Sequence, residues 1–137
     1  MPRIDGILET ALHVESVERS ARFYQDLFGF EIMLQNERIC AFAVPGRDVF
    51  LLFKRGGTLE PVKLPGGTIP PHDSQGALHF AFAIPAADLG AWEKKLAEKG
   101  VPIESKVLWE EGGTSLYFRD PDNHLVELAT PGLWPNY

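Results

Sequence analysis

Short blocks of hydrophobic residues, separated by polar turns, predict a strand, a helix and three more strands in the first half of the chain. Ile7–Val14 has the pattern of a strand. Ser16 is a good N-cap residue, and Gly29 is typical of the residue at which a helix stops, so a helix is expected between them. Its apolar residues recur at helical spacing: Val17, Ala21, Tyr24 and Phe28. Three further strands are expected: Phe30–Gln35, Ile39–Val44 and Val49–Phe53.

The second half of the chain repeats this order. Ala77–Ile84 predicts a strand, and a helix capped by Asp88 and ended by Gly100 follows it. The remaining strands are expected at Ile103–Leu108, Ser115–Arg119 and Leu125–Ala129. Two copies of one long unit indicate a duplicated module. We therefore predict a single α+β domain over residues 1–137, with module one at 1–53 and module two at 77–137.

Residues 54–76 separate the two modules and are rich in glycine and proline. Such a stretch is expected to form neither a helix nor a central strand. It fits a plain linker between the modules. It equally fits a lid or a binding loop, because long loops in compact domains are often functional.

Composition narrows the classes of partner. The net charge of −6 and the lack of clustered Lys and Arg argue against a nucleic acid or an anionic membrane as partner. No apolar run is long enough to span a bilayer, and the N-terminal residues lack the apolar core of a signal peptide. The single cysteine, Cys40, fits a reducing compartment. We therefore expect a soluble cytoplasmic protein.

Strand alternation singles out three side chains that could hold a metal. In Ala77–Ile84 one face is bulky and apolar, whereas His79 shares the other face only with alanines. His13 has the corresponding place in the first strand of the first copy. Glu127 interrupts an otherwise apolar strand, where a carboxylate is costly unless something pairs with it. The repeat therefore predicts two imidazoles and one carboxylate as ligands of one metal, with Leu51 as the first-copy counterpart of Glu127.

Three segments carry a resemblance to a known family: LHVESVERSARFYQDLFGFEI at 12–32, ALHFAFAI at 77–84 and GTSLYFRDPDNHLVEL at 113–128. Through them the chain resembles the vicinal-oxygen-chelate superfamily, which includes glyoxalase I, bleomycin-resistance proteins, fosfomycin-resistance enzymes and extradiol dioxygenases. The resemblance implies two paired βαβββ modules that form a cup-shaped mixed sheet, with the helices outside and one divalent metal inside. It also implies a substrate that chelates the metal through neighbouring oxygens, and often a homodimer in which one cup is built either within a chain or between two chains.

Departures from the family pattern guide the functional prediction. Leu51 stands where glyoxalase I has a fourth ligand, so that isomerase chemistry is disfavoured. Two His and one Glu suit non-haem Fe(II), and Mn, Zn, Co or Ni also fit the donors. We therefore expect a metal-dependent enzyme acting on a small oxygen-rich molecule, with extradiol-dioxygenase-like chemistry slightly favoured. The alternatives are a fosfomycin-type thiol transferase or lyase, or a non-catalytic protein that sequesters a ligand as bleomycin-resistance proteins do.

Two further residues are candidates for proton transfer. Tyr117 is placed to donate a proton or a hydrogen bond to a metal-bound oxygen, although a core tyrosine in a strand would look the same. His72 lies in the long loop and could supply an acid–base group over the site, although most loop histidines are simply solvated. Lys106 and Arg119 are the basic residues that could meet a phosphonate, as a fosfomycin-type enzyme requires.

Overall fold

A computed structural model describes all 137 residues of the chain and divides them into two compact units, Met1–Gln75 and Gly76–Tyr137. The first unit contains strand β1 (Glu9–Val14), helix α1 (Val17–Phe28), and strands β2 (Glu31–Gln35), β3 (Ile39–Ala43) and β4 (Val49–Lys54). These strands form one sheet in the order β1-β4-β3-β2, in which only the β1–β4 pair is parallel. The expected order of elements in the first module is confirmed.

Helix α1 begins and ends where its capping residues predict. The Ser16 hydroxyl accepts a hydrogen bond from the Arg19 backbone N–H, and Gly29 adopts a left-handed conformation with φ of 69°. The apolar face of the helix packs on the sheet, where the Tyr24 ring meets the Phe50 ring edge-on at 4.8 Å between centroids. The core of this unit therefore lies on the face of the sheet that is opposite to His13.

The second unit repeats the arrangement. It contains β7 (His79–Ala83), helix α2 (Leu89–Glu98), and strands β8 (Ser105–Leu108), β9 (Thr114–Arg119) and β10 (Leu125–Ala129), in the sheet order β7-β10-β9-β8. Again only the pair of first and last strands, β7 and β10, is parallel. The two four-stranded mixed sheets confirm the α+β class and the presence of two strand–helix–three-strand modules. Neither helix has the length and hydropathy needed to cross a membrane.

Two local details differ from the sequence prediction. Asp88 does not cap α2 through its side chain, because it ends a short 3-10 turn, Ala86–Asp88, and has helical backbone angles itself. The glycine-rich segment after β4 also holds a small antiparallel hairpin, β5 (Val62–Leu64) and β6 (Gly67–Ile69). This segment is neither helix nor central strand, as expected, and residues 54–75 belong to the first compact unit.

Candidate metal site

Two predicted ligands, His79 and Glu127, meet on adjacent strands of the second unit. Strands β7 and β10 are parallel, and the register pairs His79 with Leu125 and Ala81 with Glu127. His79 therefore lies on β7 two residues before Ala81, the residue paired with Glu127. The side chains of His79 and Glu127 share one face of the sheet. Its Nε2 atom is 3.1 Å from Glu127 Oε1. The Glu127 side chain is only 6% exposed, whereas that of His79 is 50% exposed.

The hydrogen bonds of His79 determine which of its nitrogens can bind a cation. Nδ1 lies 3.0 Å from the backbone oxygen of Leu125, which can only accept, so Nδ1 carries the proton. In a neutral imidazole Nε2 then presents a lone pair to Glu127 Oε1, and two acceptors face each other. A proton or a cation between them removes this repulsion. Two donors about 2.1 Å from one ion, at right angles to each other, lie about 3 Å apart, so the pair fits two adjacent metal ligands.

Glu127 is held from its other side. The Ser115 hydroxyl donates a short hydrogen bond to Glu127 Oε2, and the indole Nε1 of Trp109 donates to the Ser115 oxygen at 2.9 Å. Because Ser115 is completely buried, its hydrogen bond to Glu127 is shielded from water, whereas Trp109 is 37% exposed. This hydrogen bond fixes the carboxylate with Oε1 directed at His79, which is how outer residues orient a metal ligand.

Tyr117 shares this face of the sheet. It pairs with Glu127 across the β9–β10 ladder, so the two side chains point the same way. The Tyr117 ring lies 6.1 Å from the His79 ring, measured between centroids. Burial, followed by the negative charge of Glu127, raises the pKa of the Tyr117 phenol above its ordinary value. The phenol is therefore a neutral hydrogen-bond donor beside the two ligands at neutral pH.

His13, the third predicted ligand, lies in the first unit and is 6% exposed. Its Nδ1 is 2.8 Å from the Ser74 hydroxyl, and its Nε2 is 3.3 Å from the Thr58 hydroxyl. The same Nε2 is 3.2 Å from Nδ1 of His72, whose ring packs edge-on against Phe53 at 4.7 Å. The segment after β4 thus folds back over the end of β1, and it places His72 against His13.

In the first unit, a residue other than His13 occupies the strand position equivalent to that of His79 in the second unit. Leu51, the counterpart of Glu127, pairs with Ala11. Two residues before Ala11 is Glu9, an exposed residue on the same face of β1. His13, two residues after Ala11, corresponds in this register to Ala83. The sequence prediction that His13 and His79 occupy equivalent places is therefore wrong in register, because it aligned the two histidines instead of counting from the paired last strands.

The two basic residues considered for a phosphonate are both engaged with carboxylates. Arg119 forms a two-pronged ion pair with Glu104, at 3.0 and 3.2 Å, and Lys106 lies 3.2 Å from Glu93. Lys106 also pairs with Leu116, which places it on the face of the sheet opposite to Glu127. Neither residue therefore offers an unneutralised cation beside His79 and Glu127.

No group of three or more His, Cys, Asp or Glu side chains is arranged around one point. His124 is fully buried and accepts a hydrogen bond from the Leu78 backbone N–H at 2.9 Å, so its role is structural. An open groove of about 610 Å³ in the first unit contains none of the predicted site residues. It is lined by Asp5, Gly6, Ile7, Leu8, Arg47 and Asp48.

Comparisons of this chain with known proteins agree on one family. Residues 6–128 match the family described as the Glyoxalase/Bleomycin resistance protein/Dioxygenase superfamily. A metallothiol transferase FosB of Bacillus licheniformis is 32% identical over 129 residues, which cover 93% of this chain and 77% of that protein. A catechol-2,3-dioxygenase of Bacillus subtilis is 28% identical over 118 residues, 85% of this chain but only 38% of the dioxygenase. A crystal structure of lactoylglutathione lyase from Agrobacterium tumefaciens superimposes with a TM-score of 0.88 at 29% identity, covering 98% of this chain and 99% of that one.

Proposed function

Because the chain belongs to the Glyoxalase/Bleomycin resistance protein/Dioxygenase superfamily, we propose that it is a divalent-metal-dependent enzyme acting on a small oxygen-rich molecule. The observation that carries the proposal is the approach of His79 Nε2 to Glu127 Oε1 at 3.1 Å, with Nδ1 bonded to a carbonyl. A divalent ion held there would act as a Lewis acid toward a substrate oxygen. For a third donor the sequence predicts His13, which remains a prediction.

Group transfer is the reaction class that we favour over ring cleavage. The sequence slightly favoured dioxygenase-like chemistry, but the metallothiol transferase relatives are matched over most of their own length and the catechol dioxygenase over little more than a third. In a thiol transfer the thiol loses its proton, the sulfur bonds to a carbon of the acceptor, a carbon–oxygen bond breaks, and the departing oxygen takes a proton, so that no net proton is gained or lost. The Tyr117 hydroxyl, beside Glu127, is our candidate for that proton or for a hydrogen bond to the oxygen.

The acceptor that we propose carries vicinal oxygens and no phosphonate. A phosphonate dianion needs an unneutralised Arg or Lys beside the metal. The Arg119 guanidinium shares its face of the sheet with Tyr117, but it is paired with Glu104 and also donates to the Asn123 backbone oxygen at 3.1 Å. A neutral acceptor avoids the cost of displacing these bonds.

The experiment compares three substrate mixtures with the Mn(II)-loaded protein. A small thiol is offered with a neutral epoxide that carries a hydroxyl group on the adjacent carbon, the same thiol is offered with fosfomycin, and catechol is offered under oxygen. We expect metal-dependent loss of free thiol with the neutral epoxide and its disappearance in His79→Gln. Oxygen uptake with catechol would instead support ring cleavage. Metal binding without turnover of any mixture would support a ligand-sequestering protein.

A further inference from the structure

We infer that Trp109 is a positioning residue for the Glu127 carboxylate, on which it acts through Ser115. The inference rests on the proposed function, because that function makes Glu127 a ligand of the metal. All three residues belong to the second compact unit. The support comes from the direction of the hydrogen bonds, the strand register, the contacts that hold the turn carrying Trp109, and the exposure of its ring.

The hydrogen bonds that join these residues run in one direction. The indole Nε1 of Trp109 can only donate, and it lies 2.9 Å from the Ser115 oxygen. The Ser115 hydroxyl has a single proton, which it donates to Glu127 Oε2 in a short hydrogen bond. A donor bonded to a hydroxyl oxygen polarises the O–H group and strengthens the hydrogen bond that this group makes. The indole N–H therefore acts on the carboxylate through the Ser115 hydroxyl.

The register of the β8–β9 hairpin explains how the indole reaches Ser115. Leu108 pairs with Thr114 where the two strands meet the turn. The next residues, Trp109 and Gly113, continue the ladder, because the Trp109 backbone N–H donates to the Gly113 oxygen at 2.8 Å. Ser115 lies two residues beyond Gly113 and so shares the face of the hairpin with Trp109. Diagonal neighbours of this kind are within reach of an aromatic side chain.

The turn that carries Trp109 is held by the segment that follows β10. A Cβ atom added to Gly113 would lie 2.7 Å from the Gly132 carbonyl carbon, and one added to Gly132 would lie 2.6 Å from the Gly113 nitrogen. Only glycine allows two backbones to approach so closely, and Gly132 also has a positive φ of 101°. Beside this contact the Thr130 hydroxyl accepts a hydrogen bond from the Thr114 backbone N–H at 2.8 Å. The backbone of the turn is therefore fixed, and the place of the indole with it.

The exposure of Trp109 favours a positioning role over a role in the core. More than a third of this residue is exposed, whereas Ser115 is completely buried and Glu127 is nearly so. The ring therefore buries less surface than a core tryptophan does, while its only polar atom is directed at the buried hydroxyl. Loss of the N–H from this ring should affect the carboxylate more than it affects the stability of the unit.

The first measurement uses the full-length protein without metal. Nitrogen-15 NMR signals of the His79 ring report the position of the Glu127 carboxylate, because His79 Nε2 lies 3.1 Å from Glu127 Oε1. We expect Trp109→Phe and Ser115→Ala to shift these signals in the same direction. Trp134→Phe, the same substitution at a residue that is 65% exposed, is the matched control and should leave them unchanged.

The second measurement is a double-mutant cycle on the affinity for Mn(II). We expect Trp109→Phe to lower the affinity by about three- to tenfold, as for the loss of one neutral hydrogen bond, and Trp134→Phe to leave it nearly unchanged. In a Ser115→Ala background the Trp109 substitution should cause less than about a twofold further loss, because the indole acts through the hydroxyl that is already missing. Two losses that simply multiply would show that Trp109 acts by another route, and they would overturn the inference.

The parent protein supplies a check that needs no folded variant. An indole N–H bonded to Ser115 should exchange its proton with water at least about tenfold more slowly than the indole N–H of Trp134. Equal exchange rates at the two tryptophans would overturn the inference.

The outcomes separate this inference from the proposed function. Failure of the parent to bind Mn(II) overturns the proposed function, and the His79 signals of the metal-free variants then decide whether Trp109 positions the carboxylate. A parent that binds Mn(II), with His79 signals that Trp109→Phe leaves unshifted, overturns the inference and leaves the proposed function intact.

Discussion

The imidazole of His79 and the carboxylate of Glu127 lie 3.1 Å apart on neighbouring parallel strands, and a carbonyl on the far side of the imidazole fixes its tautomer. A neutral imidazole in this tautomer directs a lone pair at the carboxylate. The arrangement therefore calls for a positive charge between the two groups.

Ser115 is expected to control the position of Glu127. Replacing it with alanine removes the hydrogen bond to Oε2 and leaves a buried carboxylate oxygen without that donor. We expect Ser115→Ala to lower the free energy of unfolding by about 1–3 kcal/mol and the affinity for Mn(II) by about 10–100-fold. Chemical denaturation and metal titration measure the two effects.

The control for this variant is Ser105→Ala. Ser105 is exposed on the neighbouring strand β8, where it pairs with Tyr117. Its replacement should leave both stability and metal affinity close to those of the parent. Equal behaviour of the two alanine variants would show that Ser115 does not orient the carboxylate.

Tyr117 is expected to act in turnover and not in metal binding. Phenylalanine keeps the ring near His79 and removes the hydroxyl. If the hydroxyl supplies a proton, kcat should fall by about 10²–10⁴-fold, while Mn(II) affinity stays within about threefold of the parent. Steady-state kinetics on whichever mixture the parent turns over, together with a metal titration, separate these effects. An unchanged kcat would assign Tyr117 to the core of the sheet.

Much of the fold could be predicted from the sequence, because its signals are local. Ser16 and Gly29 mark the ends of the first helix through capping and a left-handed backbone, and both signals are confirmed. Asp88 was less informative, since an aspartate also favours the turn that precedes a helix. The hairpin within residues 54–76 was missed, because its strands are only three residues long and lie among glycines and prolines.

The site could be predicted only in part, because strand register is not a local property. Alternation singled out His79, and the cost of a carboxylate in an apolar strand singled out Glu127; the structure brings the two side chains together. The first-unit position equivalent to that of His79 depends on how β1 pairs with β4. Counting from Leu51 through that pairing leads to Glu9, a step that needs the observed register. His72 was a candidate for an acid–base group over the site, and the structure places it against His13, so its catalytic role stays a prediction.

His72 is expected to hold the segment after β4 in place. Its ring packs on Phe53, and its backbone N–H donates to the Thr58 oxygen at 3.0 Å. In His72→Ala we expect amide hydrogen exchange within residues 55–75 to become at least about tenfold faster, because local opening loses these packing contacts. Exchange in α2 and β10 serves as the internal reference. Unaltered exchange in 55–75 would mean that His72 does not secure the segment.

Cys40 is expected to be chemically inert in the folded protein. It is fully buried, and this burial raises the pKa of its thiol from 9.0 to about 11. The raised pKa means that the neutral thiol contributes its stability below pH 9, and that this contribution is lost as the pH rises toward 11. At pH 8 we expect an aromatic disulfide reagent to modify Cys40 only at the rate of global unfolding. Rapid modification without denaturant would contradict the buried position.

The most direct test of the proposed metal site is the metal content of the protein. It is measured by elemental analysis of the purified parent, His79→Gln and Glu127→Gln, each checked for a folded circular-dichroism spectrum and each also reloaded with Mn(II), Fe(II), Zn(II) and Ni(II). We predict about one divalent ion per chain in the parent and its loss in both variants, because each removes one of the two donors that meet in the second unit. A folded parent that retains none of these ions, or variants that bind as much as the parent, would contradict the assignment of a metal to His79 and Glu127.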